Sequence, residues 1–288
     1  MVERSGSSEL LLKSFHESPS YCQSNPYILS GYRVDYSWEE CFRSIFSWHN
    51  ETMNIYTHLI PMLFFFFIIN IYTFFIALDE LEHRIIFFIY LASVEITLFC
   101  STVFHIFYQQ SESSSHFFLK IDMVGMMISF FSFTVCSLWY TWADRPDMRL
   151  SYMVITTAVC GIGLFLGIFV KFEAHNYFAK LLLMAAIFFV TLMPLAHDTS
   201  VTILYGAPHS MMYLYLRRMA VTVSLFILSG LLYLFKVPER FAPGMFDYIG
   251  CSHNIMHVIV AFNFVYHYNT LWAWMEAHKY QSFGYLNE

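Results

Sequence analysis

The chain has 288 residues, of which 58% are hydrophobic and 12% charged, with a formal net charge of -6. A soluble domain carries roughly 25% charged residues, so the composition argues against a water-soluble fold and for lipid as the outer solvent. The negative balance and the scattered basic residues give no reason to expect a nucleic-acid partner. Aromatic residues make up 20% of the chain, with 32 Phe. Runs such as Phe64-Phe65-Phe66-Phe67 suit a surface that faces acyl chains. The six cysteines are Cys22, Cys41, Cys100, Cys136, Cys160 and Cys251, and no CxxC pair occurs. They read as small buried apolar residues rather than a disulfide framework or a metal knuckle.

In chain order, residues 1–36 are polar and rich in Ser and lack the apolar core of a signal peptide; they read as a cytosolic tail. A short amphipathic helix follows over about 38–48. Ser37 with Glu40 forms a capping box, and Trp38, Phe42, Ile45 and Phe46 recur at helical spacing on one face. A helix lying in the membrane interface is expected, with an ordinary packed helix as the alternative. About 20 apolar residues cross the hydrocarbon, and seven such spans are predicted: 55–77, 85–107, 121–142, 150–170, 179–198, 219–235 and 251–274. Polar punctuation separates them at Asp79 to Glu82, Gln109 to Ser115 and Asp144 to Asp147. The expected architecture is therefore all-α: a polytopic membrane domain over 37–276 with seven transmembrane helices, then a short tail over 277–288.

Lys and Arg in the loops set orientation. With the N-terminus in the cytosol, that side holds Arg4, Lys13, Arg33, Arg43, Lys120, Lys171, Lys180, Lys236 and Arg240. The other side holds Arg84, Arg145, Arg149, Arg217, Arg218 and Lys279. The bias favours a cytosolic N-terminus. Parity adds a second constraint: the end of span two and the starts of spans three and seven share one side. His105, Asp122, His253 and His257 are therefore all expected near that side.

Ionisable groups are expensive inside a bilayer and mark function. His253 and His257 are four residues apart, so in a helix they stack on one face about 6 Å apart along the axis. Ser101 and His105 repeat the offset. Three imidazoles at matching depth read as a zinc site with a fourth position for water, whose pKa falls to about 7. Such a site supplies a nucleophile for an amide or ester. Asp122 stands where it can hold and deprotonate that water, and Ser101 can hydrogen-bond it or the developing oxyanion. His58 and His197 read as hydrogen-bonded packing residues. Glu95, near the middle of span two, reads either as a carboxyl bonded to a neighbouring helix or as the lining of a lipid cavity. Asn50-Glu51-Thr52 matches a glycosylation sequon, but on the cytosolic side it reads as a polar helix start.

Three ordered blocks carry a family resemblance. The first runs through Gly31-Tyr32-Arg33, Cys41-Phe42-Arg43-Ser44-Ile45-Phe46 and His49-Asn50-Glu51-Thr52-Met53-Asn54-Ile55-Tyr56-Thr57-His58. The second is Ser101-Thr102-Val103-Phe104-His105 with Leu119-Lys120-Ile121-Asp122-Met123-Val124-Gly125. The third runs from Val237-Pro238-Glu239-Arg240 to Asp247-Tyr248 and on into Ser252-His253-Asn254-Ile255-Met256-His257. With these blocks the chain resembles the progestin and adipoQ receptor family, which includes the adiponectin receptors, over about residues 26 to 275. The resemblance implies seven helices with a cytosolic N-terminus, the reverse of G-protein-coupled receptors. It implies zinc bound by His105, His253 and His257, with Asp122 acting through water and Ser101 nearby. It also implies a lipid-accessible cavity and, for the adiponectin receptors, hydrolysis of ceramide to sphingosine and a fatty acid. The chain departs from the family at Asn254, where Gln is usual, and at Gln109-Gln110, where Cys-His is usual. Neither position is among the implied ligands.

The expected function is that of a zinc-dependent membrane amidohydrolase acting on a ceramide-type lipid, with ceramide or fatty acid as the membrane-lipid partner. The alternatives are a heptahelical receptor for an extracellular ligand, with a mainly structural zinc, and a membrane scaffold. A G-protein-coupled receptor is disfavoured because Pro146 follows Asp144-Arg145 and span seven lacks NPxxY. A retinal protein is disfavoured because span seven, 251–274, holds no Lys.

Overall fold

The computed structural model describes residues 11–169, 188–190, 192–194, 196–197, 199–200, 204 and 212–284. Among the described residues there is no strand, and the single bridge pairs Lys13 with Tyr32 in the N-terminal segment. The chain is an all-α polytopic membrane protein. Among the described residues, five helices are long and apolar enough to cross a bilayer: Thr52–Ala77, Leu81–Phe107, Glu112–Thr141, Pro146–Leu166 and Leu214–Phe241. The expected fifth span, 179–198, falls mainly outside the described residues.

Helix α1 (Trp38–Arg43) and the 3-10 turn Ser44–Phe46 realise the expected short helix. Its capping box forms: Glu40 N–H donates to Ser37 Oγ at 3.3 Å, and Ser37 N–H donates to the Glu40 carboxylate at 2.7 Å. Trp38, Phe42 and Phe46 are exposed, as an interfacial face requires. Ile45 is not on that face. It is buried against Ile55 and Ile106, because the 3-10 turn after Arg43 breaks the 3.6-residue period.

Helix α2 (Thr52–Phe64) contains Pro61 and continues through π-helical turns Phe65–Ile69 and Tyr72–Ala77. Phe64, Phe66 and Phe67 face outward, whereas Phe65 is fully buried. Helix α3 (Leu81–Phe107) is the most enclosed of the five apolar helices and packs against both α2 and α4 (Glu112–Thr141). Helix α4 starts nine residues before the apolar reading placed it. Ser111 caps it, accepting from Ser114 N–H at 3.2 Å, so polar turns extend the helix beyond the hydrocarbon. Helices α5 (Pro146–Phe169), α6 (Met212–Phe235) and α7 (Ser252–Gly284) complete the described bundle. Helix α7 is long enough to span but stands outside the five apolar helices. His253, Asn254, His257, Asn263 and His267 make it the polar helix of the bundle.

Candidate metal centre

The site forms where the C-terminal end of α3 meets the N-terminal ends of α2 and α7. Each end is held by specific bonds. The last carbonyls of α3 have no intrahelical partners, and the fully buried Arg33 satisfies two of them: its guanidinium donates to His105 O at 2.7 Å and Ile106 O at 3.0 Å. Ser44 Oγ and Gln109 Oε1 also accept from it, at 2.7 and 3.3 Å. Gln109, one of the residues at which the chain departs from the family pattern, is thus a fully buried tie between this arginine and α3. Gly31 precedes the arginine with φ +89°, and a Cβ there would stand 2.9 Å from Asn50 N, so the turn admits glycine alone.

The first turn of α7 is fixed from two sides. Buried Glu239 accepts from Ser252 N–H at 2.7 Å and from the Ser252 hydroxyl, and it accepts from Asn25 Nδ2 at 2.9 Å. A carboxylate at this end also favours the helix dipole. Asn254 donates to Asn54 Oδ1 at 2.6 Å, joining α7 to α2.

The three predicted histidines converge. His105, His253 and His257 each present a ring nitrogen, and these atoms lie within 4.8 Å of one another. Ring centroids are 4.9 Å apart for His105–His253 and His105–His257, and 4.5 Å for His253–His257. This buried cluster can hold a metal ion. Two of the outer nitrogens are spoken for. His105 Nδ1 donates to Glu51 Oε2 at 2.7 Å, while its Nε2 is buried with no protein partner. His257 Nδ1 lies 3.2 Å from Asn54 O and 3.1 Å from Thr57 Oγ1, which assigns the proton to Nδ1 and leaves the Nε2 lone pair free. A carboxylate or carbonyl behind an imidazole is the usual support of a metal-binding histidine. The donor set therefore fits a metal such as zinc.

Glu51, the middle residue of the Asn50-Glu51-Thr52 sequon, stands behind His105. It is buried at the N-terminus of α2 and also accepts from Tyr108 OH and Asn54 Nδ2, each at 2.8 Å. Burial alone would raise its carboxyl, but the hydrogen bonds from His105 and Asn54 outweigh it and hold the group below the usual carboxylate range.

His58 is the second surprise. It stacks on His257 with centroids 3.7 Å apart and an interplanar angle of 14°. It is buried, and neither ring nitrogen has a protein hydrogen-bond partner. It lines the centre rather than filling space elsewhere. His197 keeps its packing role: its ring stacks on Trp142 and is hydrogen-bonded by Tyr152.

Asp122 interacts with the Ser101 hydroxyl and with His105. Close packing brings it there. One turn along α4, Gly125 lets the two helices touch: a Cβ on it would stand 3.1 Å from Cys100 Cβ and 3.2 Å from Thr97 Cα. Thr97 Oγ1 donates to Gly125 O at 2.8 Å. Glu95 is remote from the centre and accepts from Asn70 Nδ2 at 3.3 Å, the neighbouring-helix contact that was one of its two readings. All six cysteines are free and buried.

Comparison with known proteins shows the family of the chain. The pattern of the family described as Haemolysin-III related matches residues 46–268. The chain is 31% identical to the ADIPOR-like receptor IZH1 of Eremothecium gossypii, over 90% of this chain and 83% of that protein. It is 33% identical to Heptahelical transmembrane protein 1 of Arabidopsis thaliana, over 89% and 79% of the two chains. It is 26% identical to Progestin and adipoQ receptor family member 3 of Homo sapiens, over 93% and 88%.

Proposed function

The chain belongs to the Haemolysin-III related family of membrane proteins, and from that premise we propose that it is a zinc-dependent intramembrane hydrolase of ceramide-type lipid amides. The observation that carries the reading is the His105 imidazole: Nδ1 is anchored on Glu51, and the unpartnered Nε2 is buried beside the ring nitrogens that His253 and His257 present. Zinc held by these three side chains supplies a Lewis acid and activates water near neutral pH. Asp122 accepts the proton of the attacking water through a carboxylate oxygen. The Ser101 hydroxyl donates to that carboxylate and orients it toward the water. His58 offers its unpartnered ring nitrogens to the polar head of the substrate. The N-terminus faces the cytosol in this reading, supported by the Lys and Arg bias of the loops.

A second reading is a heptahelical receptor in which the metal is mainly structural. The fungal relative, an ADIPOR-like receptor by name, favours it. One experiment separates the two. The purified chain is assayed for bound metal and for fatty-acid release from ceramide, with and without chelator. Chelator-sensitive release is expected, and Asp122→Ala is expected to keep the metal and lose turnover. Unchanged turnover in that variant, or none in the wild type, favours the receptor.

A further inference from the structure

Among the described residues, nine buried side-chain nitrogen and oxygen atoms have no hydrogen-bond partner. Three belong to His58 and His105 at the metal centre, and one is Trp272 Nε1. The other five are Arg218 Nε, Thr222 Oγ1, Asn263 Oδ1, His267 Nδ1 and Trp274 Nε1. All five come from one seam, where α6 meets α7 beside α4. Thr222, His267 and Trp274 are 0% exposed and Asn263 is 2% exposed, so the seam is closed to bulk solvent and to lipid there.

The contacts knit these residues together. Asn263 Nδ2 donates to Thr222 O at 3.3 Å. The Arg218 guanidinium reaches Asn269 O and Thr270 Oγ1 at 3.4 and 3.5 Å. His267 Nε2 stands 3.5 Å from Ser137 Oγ of α4, and its ring stacks on Phe133 at 3.7 Å. Trp274 packs edge-on to His267, with centroids 5.8 Å apart. Arg218 and Thr222 are four residues apart on α6, and Asn263 and His267 are four apart on α7, so each pair shares a helix face.

A buried polar atom without a partner is destabilising, and native interiors satisfy such atoms with protein or ordered water. The chemistry of the five atoms selects the ligand. Asn263 Oδ1 only accepts, Arg218 Nε and Trp274 Nε1 only donate, and the Thr222 hydroxyl and His267 Nδ1 do either. An anion would meet the Asn263 carbonyl oxygen, and a cation would meet Arg218. A small molecule that both donates and accepts suits all five. We propose that the α6–α7 seam is a buried water site, in which ordered water bridges these groups and forms a polar path through the half of the bundle remote from the three imidazoles. The path starts at Asn263, six residues or about 9 Å along α7 from His257, and runs toward Arg218 near the start of α6. It stands whether or not the chain is a hydrolase.

Hydroxyl-radical footprinting with X-rays reads this directly, because radicals form from water lodged beside a side chain. The full chain in lipid nanodiscs is irradiated, and oxidation is mapped by mass spectrometry. After correction for intrinsic reactivity, His267 and Trp274 are expected to oxidise about tenfold faster than Phe65 and Leu98, which are equally buried among apolar neighbours. Rates no faster than those two controls overturn the proposal. Thr222→Val combined with Asn263→Leu removes two water-holding groups and is expected to slow Trp274 oxidation about fivefold. Undiminished Trp274 oxidation in that variant, eluting as a single folded species, also overturns it.

Discussion

At the scale of single residues, the proposed centre depends on atoms behind the imidazoles as much as on the imidazoles. Glu51 holds the His105 ring in the orientation that leaves Nε2 free, and it stays ionised because His105 and Asn54 both donate to it. Glu51→Gln keeps an acceptor but removes the charge. It is expected to weaken metal affinity about 10–100-fold, measured by competition with a calibrated chelator. An affinity equal to wild type would show that the carboxylate does not support the metal. His253→Ala is expected to lose both metal and thermal stability, since metal binding contributes folding energy. Full metal content in that variant removes His253 from the ligand set. The three histidines were legible because apolar helices make an imidazole conspicuous and because helix parity assigns depth. Glu51 and His58 were not, since a carboxylate at a helix start and a histidine within a helix have ordinary explanations. One available signal was the spacing Glu51–Asn54–His58, which lines a helix face with polar groups.

At the scale of elements, the α3–α4 contact decides whether Asp122 reaches Ser101. Gly125→Ala adds a methyl where Cys100 Cβ and Thr97 Cα already stand at 3.1 and 3.2 Å. The steric cost of overpacking, about 1–3 kcal/mol, outweighs the gain of up to about 1 kcal/mol in helix propensity. A lower melting temperature is expected, with metal content retained. A higher one would mean that the helices have room to spare. Helix α1 shows the limit of periodicity as a guide. Its capping box and outward Trp38, Phe42 and Phe46 follow from spacing, whereas Ile45 turns inward because the last turn tightens to 3-10. The polar first turns of α4 were invisible to a hydropathy reading for a similar reason: Ser111 caps a helix that outruns its apolar stretch.

For the whole molecule, the N-terminal segment from Lys13 on is packed against the same face as the histidines, through Arg33, His49 and their partners. His49 is buried, its Nε2 donates to Ser44 O at 3.0 Å, and its Nδ1 accepts from Glu51 N–H at 3.1 Å. Burial, aided by Arg33, lowers its pKa from the ordinary 6.5 to about 3. In that window the unfolded ring binds a proton and the folded ring does not, so stability rises with pH. Acidification below the ordinary value is therefore expected to cost up to about 1.4 kcal/mol per pH unit from this group. Denaturant unfolding between pH 4 and pH 7 tests this, and His49→Gln is expected to flatten the slope. An unaltered slope would assign the acid sensitivity elsewhere. The amino-acid sequence by itself determined the apolar solvent, the all-α class, the apolar helices and the meeting of His105, His253 and His257. These follow from apolar length, helical period and parity, which are properties of a linear chain in a bilayer. Only the tertiary structure decided which nitrogens are free, that Glu51 and Arg33 brace the α3 end, that His58 lies against His257, and that a polar seam runs between α6 and α7. Those are pairings between residues as many as 203 positions apart, such as Asn54 with His257. No local pattern encodes them, because the packing of one helix on another selects the partner.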